Sequence, residues 1–592
     1  MSKLQLRPGD GLPAEEYELQ ESSPLDQPLL PRYETKPGSG SGHSPHQLHE
    51  LAKRHSSFRR ALSCLCLAVF LTVPSLALAM CYFGRTTLDR VRDWNQLPGD
   101  VKEWLDKVAP GKFEVNPGDF PTDIGYAGPT PTGSEAALLA TAPSLPMFTA
   151  VSPLVAPTSK STRGFNVIQH WGNLSPYFSV DSHGLPETSS LIPATCELEG
   201  LHWLQRHGAR YPTSDPGGPA DIASRLAAVT GWTASGDLAF LNDWSYKLGA
   251  EILTPFGRGQ LYNLGVSARM KYGFLLDRMG GRLPVFRTES QDRMLRSAQH
   301  FATGFFGYPS EEQYNLEVMI ESPGFNCTLA PWNTCKEANG TTWPTLGPKL
   351  AQWDAVFLAD AQKRLQASMS GYDFTIRDVN DLMEMCAYET VALGYSSFCN
   401  LFTQREWRGF EYRNDLIWWY SAAFGYDYAK AQGIGWVQEL VSRLTQTRLS
   451  DFNTTTNSSF HDDVHFPLRD SLYVDFTHDT MFMLLLPAMN LTTFAESGPL
   501  PFDRMPKHRS FIASKICPFA TNMQIQILSC SSTSSLKQVR IILNDAVVPL
   551  IGIRGCPDNE DGLCPLETFV SGMQTLIGEV DWVGMCGGPT LT

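Results

Sequence analysis

Large apolar residues are sparse over residues 1–60, dense from Ala61 to Phe83, sparse again to about residue 163, and regularly spaced from Phe165 onward. The first 60 residues are rich in Pro, Ser, Gly and His. They hold too little apolar surface to offset the entropy of ordering the chain, and they read as a disordered cytoplasmic tail. No charged residue occurs from Ala61 to Phe83. At about 1.5 Å per residue that segment is long enough for the ~30 Å hydrocarbon core of a bilayer. It is too long, and starts too far from residue 1, for the apolar region of a cleaved signal peptide, so a transmembrane signal anchor is predicted over 61–83. Residues 84–163 follow as a juxtamembrane stretch and a stalk dense in Pro, Ala, Thr and Ser.

A globular pattern occupies 164–592. The apolar runs Leu198–Leu204, Leu472–Phe476 and Val539–Ile542 have strand length and end in polar or Gly-containing turns. Gly259–Tyr272, Asp292–Gly304 and Trp436–Leu444 carry helical spacing, and strands alternating with helices predict an α/β fold. From about 310 to 455 helical spacing and aromatics dominate, which predicts a helical insertion on the sheet.

Composition is that of an ordinary globular protein, 42% apolar and 18% charged. The net charge of −14 argues against a nucleic-acid partner, because such a surface repels phosphate polymers. A small phosphorylated substrate meets only the local field of one pocket. The cysteines change the picture more. Cys64, Cys66 and Cys81 lie in or beside the apolar segment, where the first two are either palmitoylated or simply face lipid. The other ten lie beyond it with no CxxC pair among them, and read as disulfides rather than zinc ligands. Six glycosylation sequons share that region, at Asn173, Asn326, Asn339, Asn453, Asn457 and Asn490. Together these features predict a single-pass type II protein of the secretory pathway, at the cell surface or on an internal membrane such as the vacuole. Its C-terminal side is lumenal or extracellular. Oligomeric state is not legible.

The chemistry concentrates in Leu204-Gln205-Arg206-His207-Gly208-Ala209-Arg210-Tyr211-Pro212-Thr213, directly after a strand. In open α/β sheets ligands sit beyond the carboxyl ends of strands. Here that position offers an imidazole between two guanidiniums. Arg206 and Arg210 can grip phosphate oxygens in bidentate, charge-assisted hydrogen bonds. Two fixed cations also favour a neutral, nucleophilic His207. A surface turn with its arginines paired to carboxylates is the bland alternative for an isolated Arg-His pair. The full heptad RHGxRxP resembles the signature of the histidine acid phosphatases. His170-Trp171-Gly172-Asn173-Leu174-Ser175-Pro176-Tyr177-Phe178 is similar to the fungal members, their phytases included. So, in order, are Leu253-Thr254-Pro255-Phe256-Gly257, Arg287-Thr288-Glu289-Ser290-Gln291-Asp292-Arg293, Leu472-Tyr473-Val474-Asp475-Phe476-Thr477-His478-Asp479-Thr480 and Leu543-Asn544-Asp545-Ala546-Val547-Val548-Pro549-Leu550.

The resemblance implies a mixed, mostly parallel sheet flanked by helices, of the histidine-phosphatase and phosphoglycerate-mutase kind, with a smaller helical domain. It implies that His207 attacks phosphorus, that Arg206, Arg210, Arg287 and His478 hold the phosphate oxygens, and that Asp479 protonates the leaving alkoxide. No cofactor is implied, since arginines supply the charge that a metal supplies elsewhere. It also implies the disulfides Cys196–Cys530, Cys386–Cys399, Cys556–Cys564 and Cys335–Cys586, and leaves Cys327 to pair with Cys517.

Substrate choice is where this chain departs from the family. Asp237 and Asn242 stand where fungal phytases carry lysines, and the region of Tyr426-Asp427-Tyr428-Ala429-Lys430 lacks a lysine pair. A substrate with many phosphates needs many cations, each charge-assisted contact contributing about 1.5–3 kcal/mol. A broad acid phosphatase is therefore expected, with a dedicated phytase and a phospho-ligand-binding surface protein as alternatives. His461 and His465 have the i, i+4 spacing of a helical zinc pair, but their Ser/Thr/Asn-rich surroundings read as a solvated loop.

Overall fold

The computed structural model describes residues 133–134 and 165–587, apart from 215, 216, 339 and 341. The predicted tail, the anchor at 61–83 and nearly all of the stalk lie outside the described residues. Among the described residues no helix is long and apolar enough to cross a membrane.

One sheet organises the domain. Its strands are β1 (Cys196–Arg206), β2 (Val285–Glu289), β3 (Asn315–Met319), β4 (Leu472–Thr477), β5 (Asn522–Cys530), β6 (Lys537–Leu543), β7 (Ala546–Val548) and β8 (Cys564–Pro565). Their order is β8-β6-β5-β1-β4-β2-β3, with β7 beside β6. Strands β1, β4, β2 and β3 are mutually parallel. Strand β5 runs against both β1 and β6, and β7 and β8 run against β6. Strands β1, β2, β3, β4 and β6 therefore point the same way, which is the mixed, mostly parallel sheet. Strand β4 sits at its centre, between β1 and β2, and every residue of Leu472–Thr477 is buried. A strand covered on both faces must be apolar throughout, and Asp475 is tolerated there only because charges meet it.

Helices α1 (Gly218–Ala228), α2 (Pro255–Tyr272), α3 (Asp292–Phe306), α4 (Trp343–Gln366), α5 (Ile376–Leu393), α6 (Gln404–Ser421), α7 (Ala429–Thr445), α8 (Asp479–Ala488) and α9 (Leu566–Glu579) surround the sheet. On one side α2 and α3 bring Leu261, Met294, Phe301 and Phe305 onto Leu201, Trp203, Phe286 and Phe476. On the other, α7, α8 and α9 bring Val437, Leu485 and Phe569 into one core with Ile525 and Ile541. Between β3 and β4 the chain makes α4 to α7. Helices α4, α5 and α6 share a separate core with α1, built on Leu226, Leu358, Leu382 and Trp407.

Four disulfides form: Cys196–Cys530, Cys335–Cys586, Cys386–Cys399 and Cys556–Cys564. Cys196 and Cys530 face each other across β1 and β5, so this bridge ties the strand that carries the motif to its antiparallel neighbour. Disulfides of this kind place the folding of the domain in an oxidising compartment. The fifth expected pair is corrected. Cys327 and Cys517 are buried free thiols. They lie in different surroundings: the Cys327 sulfur meets the backbone of Leu329 and Ala330 near Glu289, whereas Cys517 lies by Arg206 and Asp479.

The sequon asparagines stand in different surroundings. The Asn173, Asn457 and Asn490 amides donate to Asp479, to the Asn326 carbonyl and to the Gly552 carbonyl. Asn326 is buried. Asn453 is exposed, and Asn339 lies outside the described residues. His461 and His465 stand in a turn-rich loop; the first is buried against Phe466, and the second is paired with Asp462 at the surface.

Candidate active site

The carboxyl ends of three adjacent parallel strands, β1, β4 and β2, converge on one place. Arg206, the last residue of β1, is level with Thr477, the last of β4. Immediately beyond, the His207 amide donates to the Thr477 carbonyl at 3.2 Å, and the His207 carbonyl accepts from Ala520 at 2.9 Å. The next two amides are held by side chains, Gly208 by Ser297 of α3 and Ala209 by Gln260 of α2. A Cβ on Gly208 would lie 2.3 Å from the Gly257 carbonyl oxygen, so glycine is required for the motif to pack on α2. The Leu253–Gly257 segment thus has a mechanical role. The Thr254 amide donates to the Ala209 carbonyl, and its hydroxyl caps α2.

His207 is buried, and its Nδ1 lies 2.8 Å from the Gly208 carbonyl. A carbonyl only accepts, so Nδ1 carries the proton and Nε2 keeps its lone pair. Burial, and then the charges of Arg206, Arg293, His478 and Arg210, hold the imidazole well below its ordinary pKa. Desolvation leads this list, ahead of the two motif arginines.

Four cationic groups face this imidazole. Arg206 donates to the Asn173 and Cys517 carbonyls, both at 2.6 Å, and to Asp479 Oδ2 at 2.5 Å, with Phe519 under its guanidinium. Arg210 is fixed by the Tyr211 carbonyl at 2.9 Å and the Tyr388 hydroxyl at 3.4 Å. His478 follows β4 and stands edge-on to His207, ring centres 5.4 Å apart. Its Nε2 donates to Glu321 at 3.0 Å and lies 2.8 Å from Glu289. Burial opposes the charged ring, but Glu321 and Glu289 outweigh it and hold His478 up at about 9, a cation through the acidic and neutral range.

The fourth cation is Arg293, and here the expectation for Arg287 is corrected. Arg287 lies inside β2, level with Asp475 of β4, below the strand ends. It gives both a 2.8 Å and a 2.7 Å hydrogen bond to Asp475 and a 2.9 Å one to Glu439, so its donors are committed. Arg293, in the first turn of α3, reaches the site instead. One terminal nitrogen pairs with Glu251 at 2.7 Å, and the other stands 3.5 Å from His478 Nδ1. A protonated imidazole and a guanidinium that close are natural neighbours only around an anion. Glu251 itself holds a left-handed backbone, φ 67°, uncommon for a side chain of its kind and stored where it orients Arg293.

Asp479 opens α8 directly after His478. Its Oδ2 accepts from Arg206 and, at 2.9 Å, from the Asn173 amide. Burial would raise its pKa, but Arg206, Asn173 and Arg210 outweigh burial and hold the carboxyl below its ordinary range. Of the six expected residues, five meet here: His207, Arg206, Arg210, His478 and Asp479. Sequence reasoning missed Arg293, Asn173 and the pair Glu289 and Glu321. Arg293 had a signal, as the first cation in the helix turn after β2. Asn173 had a different one, its place in the His170–Phe178 stretch.

The profile of the histidine phosphatase superfamily (branch 2) matches residues 197–544. The chain belongs to that superfamily. Phytase A of Aspergillus oryzae is 30% identical over 71% of this chain and 91% of its own length. Phytase A of Aspergillus fumigatus is 32% identical over 70% of this chain and 90% of its own. Among solved structures, the phytase from D. castellii is 26% identical with a TM-score of 0.61, covering 74% of this chain and 91% of that one. The match places this histidine phosphatase in the fungal phytase-like branch, as a hydrolase of phosphoric monoesters.

Proposed function

We propose that this histidine phosphatase is an acid phosphatase of broad range that works through a phosphohistidine on His207. The observation that carries the reading is the imidazole itself, neutral, with Nε2 unprotonated and enclosed by Arg206, Arg210, Arg293 and His478. Nε2 attacks phosphorus in line, the N–P bond forms and the ester P–O bond breaks. The cations stabilise the charge on the three non-bridging oxygens as it redistributes. Asp479 gives its proton to the departing alkoxide. Water then attacks the phosphohistidine, returns a proton to Asp479 and releases phosphate and His207.

Asp479 is ionised in the free enzyme, so its proton has to arrive with the substrate. A phosphate monoester is a monoanion below a second pKa of about 6. Bound as a monoanion it can pass that proton to Asp479. The resulting dianion then neutralises Arg206 and Arg210, the charges that had held the carboxyl down. Activity is therefore acidic, and kcat/KM falls as pH rises through about 6. The absence of lysines at the positions noted above favours simple monoesters over inositol hexakisphosphate. The uncharged 61–83 segment, with disulfides beyond it, supports a type II anchor that presents the catalytic domain to the lumen or exterior; resistance of the full chain to alkaline carbonate extraction tests it.

The deciding experiment is His207→Ala, assayed for phosphate release, with rapid quenching of the parent enzyme on labelled substrate. The parent accumulates label in an acid-labile, alkali-stable form on the peptide containing His207. The variant loses at least ~10³-fold in kcat and retains no label. Hydrolysis by His207→Ala at parental rate overturns the mechanism.

A further inference from the structure

A cavity of about 940 Å³ opens beside Arg210. Pro212 and Thr213 of the motif line one edge, and Tyr388, whose hydroxyl contacts Arg210, lines it too, so the cavity lies one side chain away from the phosphate site. The cavity is therefore the candidate space for the organic half of a monoester whose phosphate sits among Arg206, Arg210 and Arg293. Its substrate class is therefore written in its walls.

One wall is apolar. Helix α4 presents Trp343, Leu350 and Ala351 on a single face, and Ile417 of α6 completes it. Trp343 is 57% exposed, a large indole left uncovered at the mouth. The opposite wall is made by α5 and accepts hydrogen bonds. Asn380 is 3% exposed, and its Nδ2 donates to Glu384 at 3.0 Å, which turns Oδ1 the other way. That oxygen is buried without any partner. An unmatched buried acceptor costs about 1–3 kcal/mol, and a donor reaching this wall would recover that cost.

Charge selects further. The lining holds Asp354, Asp381 and Glu384 against Arg377 and Arg413, with no lysine among its described residues. Both guanidiniums are engaged, Arg413 with Asp354 at 2.8 Å, and Arg377 with Asp221 at 3.2 Å and Asp381 at 4.0 Å. Asp381 is shared again with Arg225 at 2.9 Å. Among the described residues Glu384 has no ion-pair partner. The wall thus sets three carboxylates against two guanidiniums that already have carboxylate partners, a poor match for a second phosphate, and offers an ammonium group one carboxylate without an ion pair.

We propose that this cavity selects phosphomonoesters whose alcohol carries an apolar or aromatic body and a protonated amine, with Glu384 and Asn380 receiving the ammonium and Trp343 covering the body. The inference rests on the catalytic reading above and adds the substrate class to it. It also reverses the sign of selection expected for a polyphosphorylated substrate.

The test uses two esters with closely matched leaving groups, tyramine phosphate and 4-ethylphenyl phosphate, on the full-length protein in detergent. The two phenols leave with nearly equal ease, so a difference in kcat/KM reports recognition rather than chemistry. The expected ratio favours tyramine phosphate about tenfold, one well-formed charge-assisted contact, and Glu384→Gln brings it to within twofold of unity. Because the ratio is internal to each preparation, a partly unfolded variant does not disturb it. A ratio near one in the parent enzyme overturns the proposal, as does a ratio unchanged by Glu384→Gln. Trp343→Ala raises KM for both esters and leaves the ratio alone; a KM unchanged for both removes the aromatic part. Failure to release phosphate from either ester would instead count against the catalytic reading.

Discussion

Two clusters of buried charge lie one on β4 and the other just past its end, around aspartates four residues apart. Around Asp475, Arg287 and Arg443 meet Asp475 and Glu439, with Trp436 also donating to Asp475 at 3.0 Å. Around Asp479, Arg206, Arg210, Arg293 and His478 crowd a single neutral imidazole. In the lower cluster Arg287 spends its nitrogens on carboxylates inside the protein, and Arg443 reaches Asp475 while its guanidinium lies over Phe466 and Tyr473. In the upper one burial pushes Glu289 up to about 8, which leaves four cations against Asp479, Glu251 and Glu321 in acid, at the place where His207 presents Nε2. Both aspartates are held below the ordinary carboxylate range, and burial opposes the charged form in both. Buried charge is structural when its partners are complete and functional when one partner has yet to arrive.

Exchanging the two aspartates gives the largest contrast. Asp479→Asn removes the proton donor, so kcat on an alkyl phosphate falls by ~10²–10⁴. On 4-nitrophenyl phosphate the loss is much smaller, because that leaving group departs without a proton. Asp475→Asn instead strips charge from between Arg287 and Arg443 and destabilises the fold by about 3–5 kcal/mol. Its folded fraction turns over normally. Thermal midpoints and active-site-normalised kcat, measured together, break the comparison if Asp475→Asn proves as stable as the parent and as slow as Asp479→Asn.

The two arginines of the Arg287–Arg293 segment sharpen it at the next level. Arg293→Ala loses one charge-assisted grip on phosphate, worth about 1.5–3 kcal/mol, hence ~10–100-fold in kcat/KM. Arg287→Ala leaves Asp475 and Glu439 short of a partner and lowers the thermal midpoint, while kcat/KM per folded molecule stays within a few-fold of parental. Reversed results, with Arg287→Ala stable but slow, would return Arg287 to the phosphate.

Why the sequence misplaced that arginine is physical. A strand position is legible as such, and Leu198–Leu204, Leu472–Phe476 and Val539–Ile542 all fall inside β1, β4 and β6. The motif residues that follow β1 and β4 lie at strand ends, so their convergence could be read once the sheet was assumed parallel. Arg287 lies two residues short of the end of β2, and a pleat's difference in height decides whether a guanidinium meets Asp475 or phosphate. Height within a sheet is set by pairing register, which no single strand encodes. Likewise Asn173 carried a sequon, a three-residue pattern blind to tertiary contacts, and its amide meets Asp479 from far along the chain. The leftover cysteines show the same limit, since an even count does not bring two buried thiols together.

Asn173 also supplies the smallest test, because it acts on the upper aspartate alone. Its hydrogen bond is among the forces that keep the Asp479 carboxyl ionised. Asn173→Leu removes that bond and leaves Arg206 in place, so the folded-state pKa of Asp479 moves up toward its ordinary value. The protonated donor then persists to higher pH. The alkaline limb of the kcat profile accordingly shifts upward, by about half a unit for a bond worth roughly 0.5–1 kcal/mol. A merely structural role would lower kcat at every pH and leave the limb where it is. A limb displaced toward lower pH would mean that Asn173 holds the proton on Asp479 rather than off it, and the resting carboxyl would then be the acid form after all.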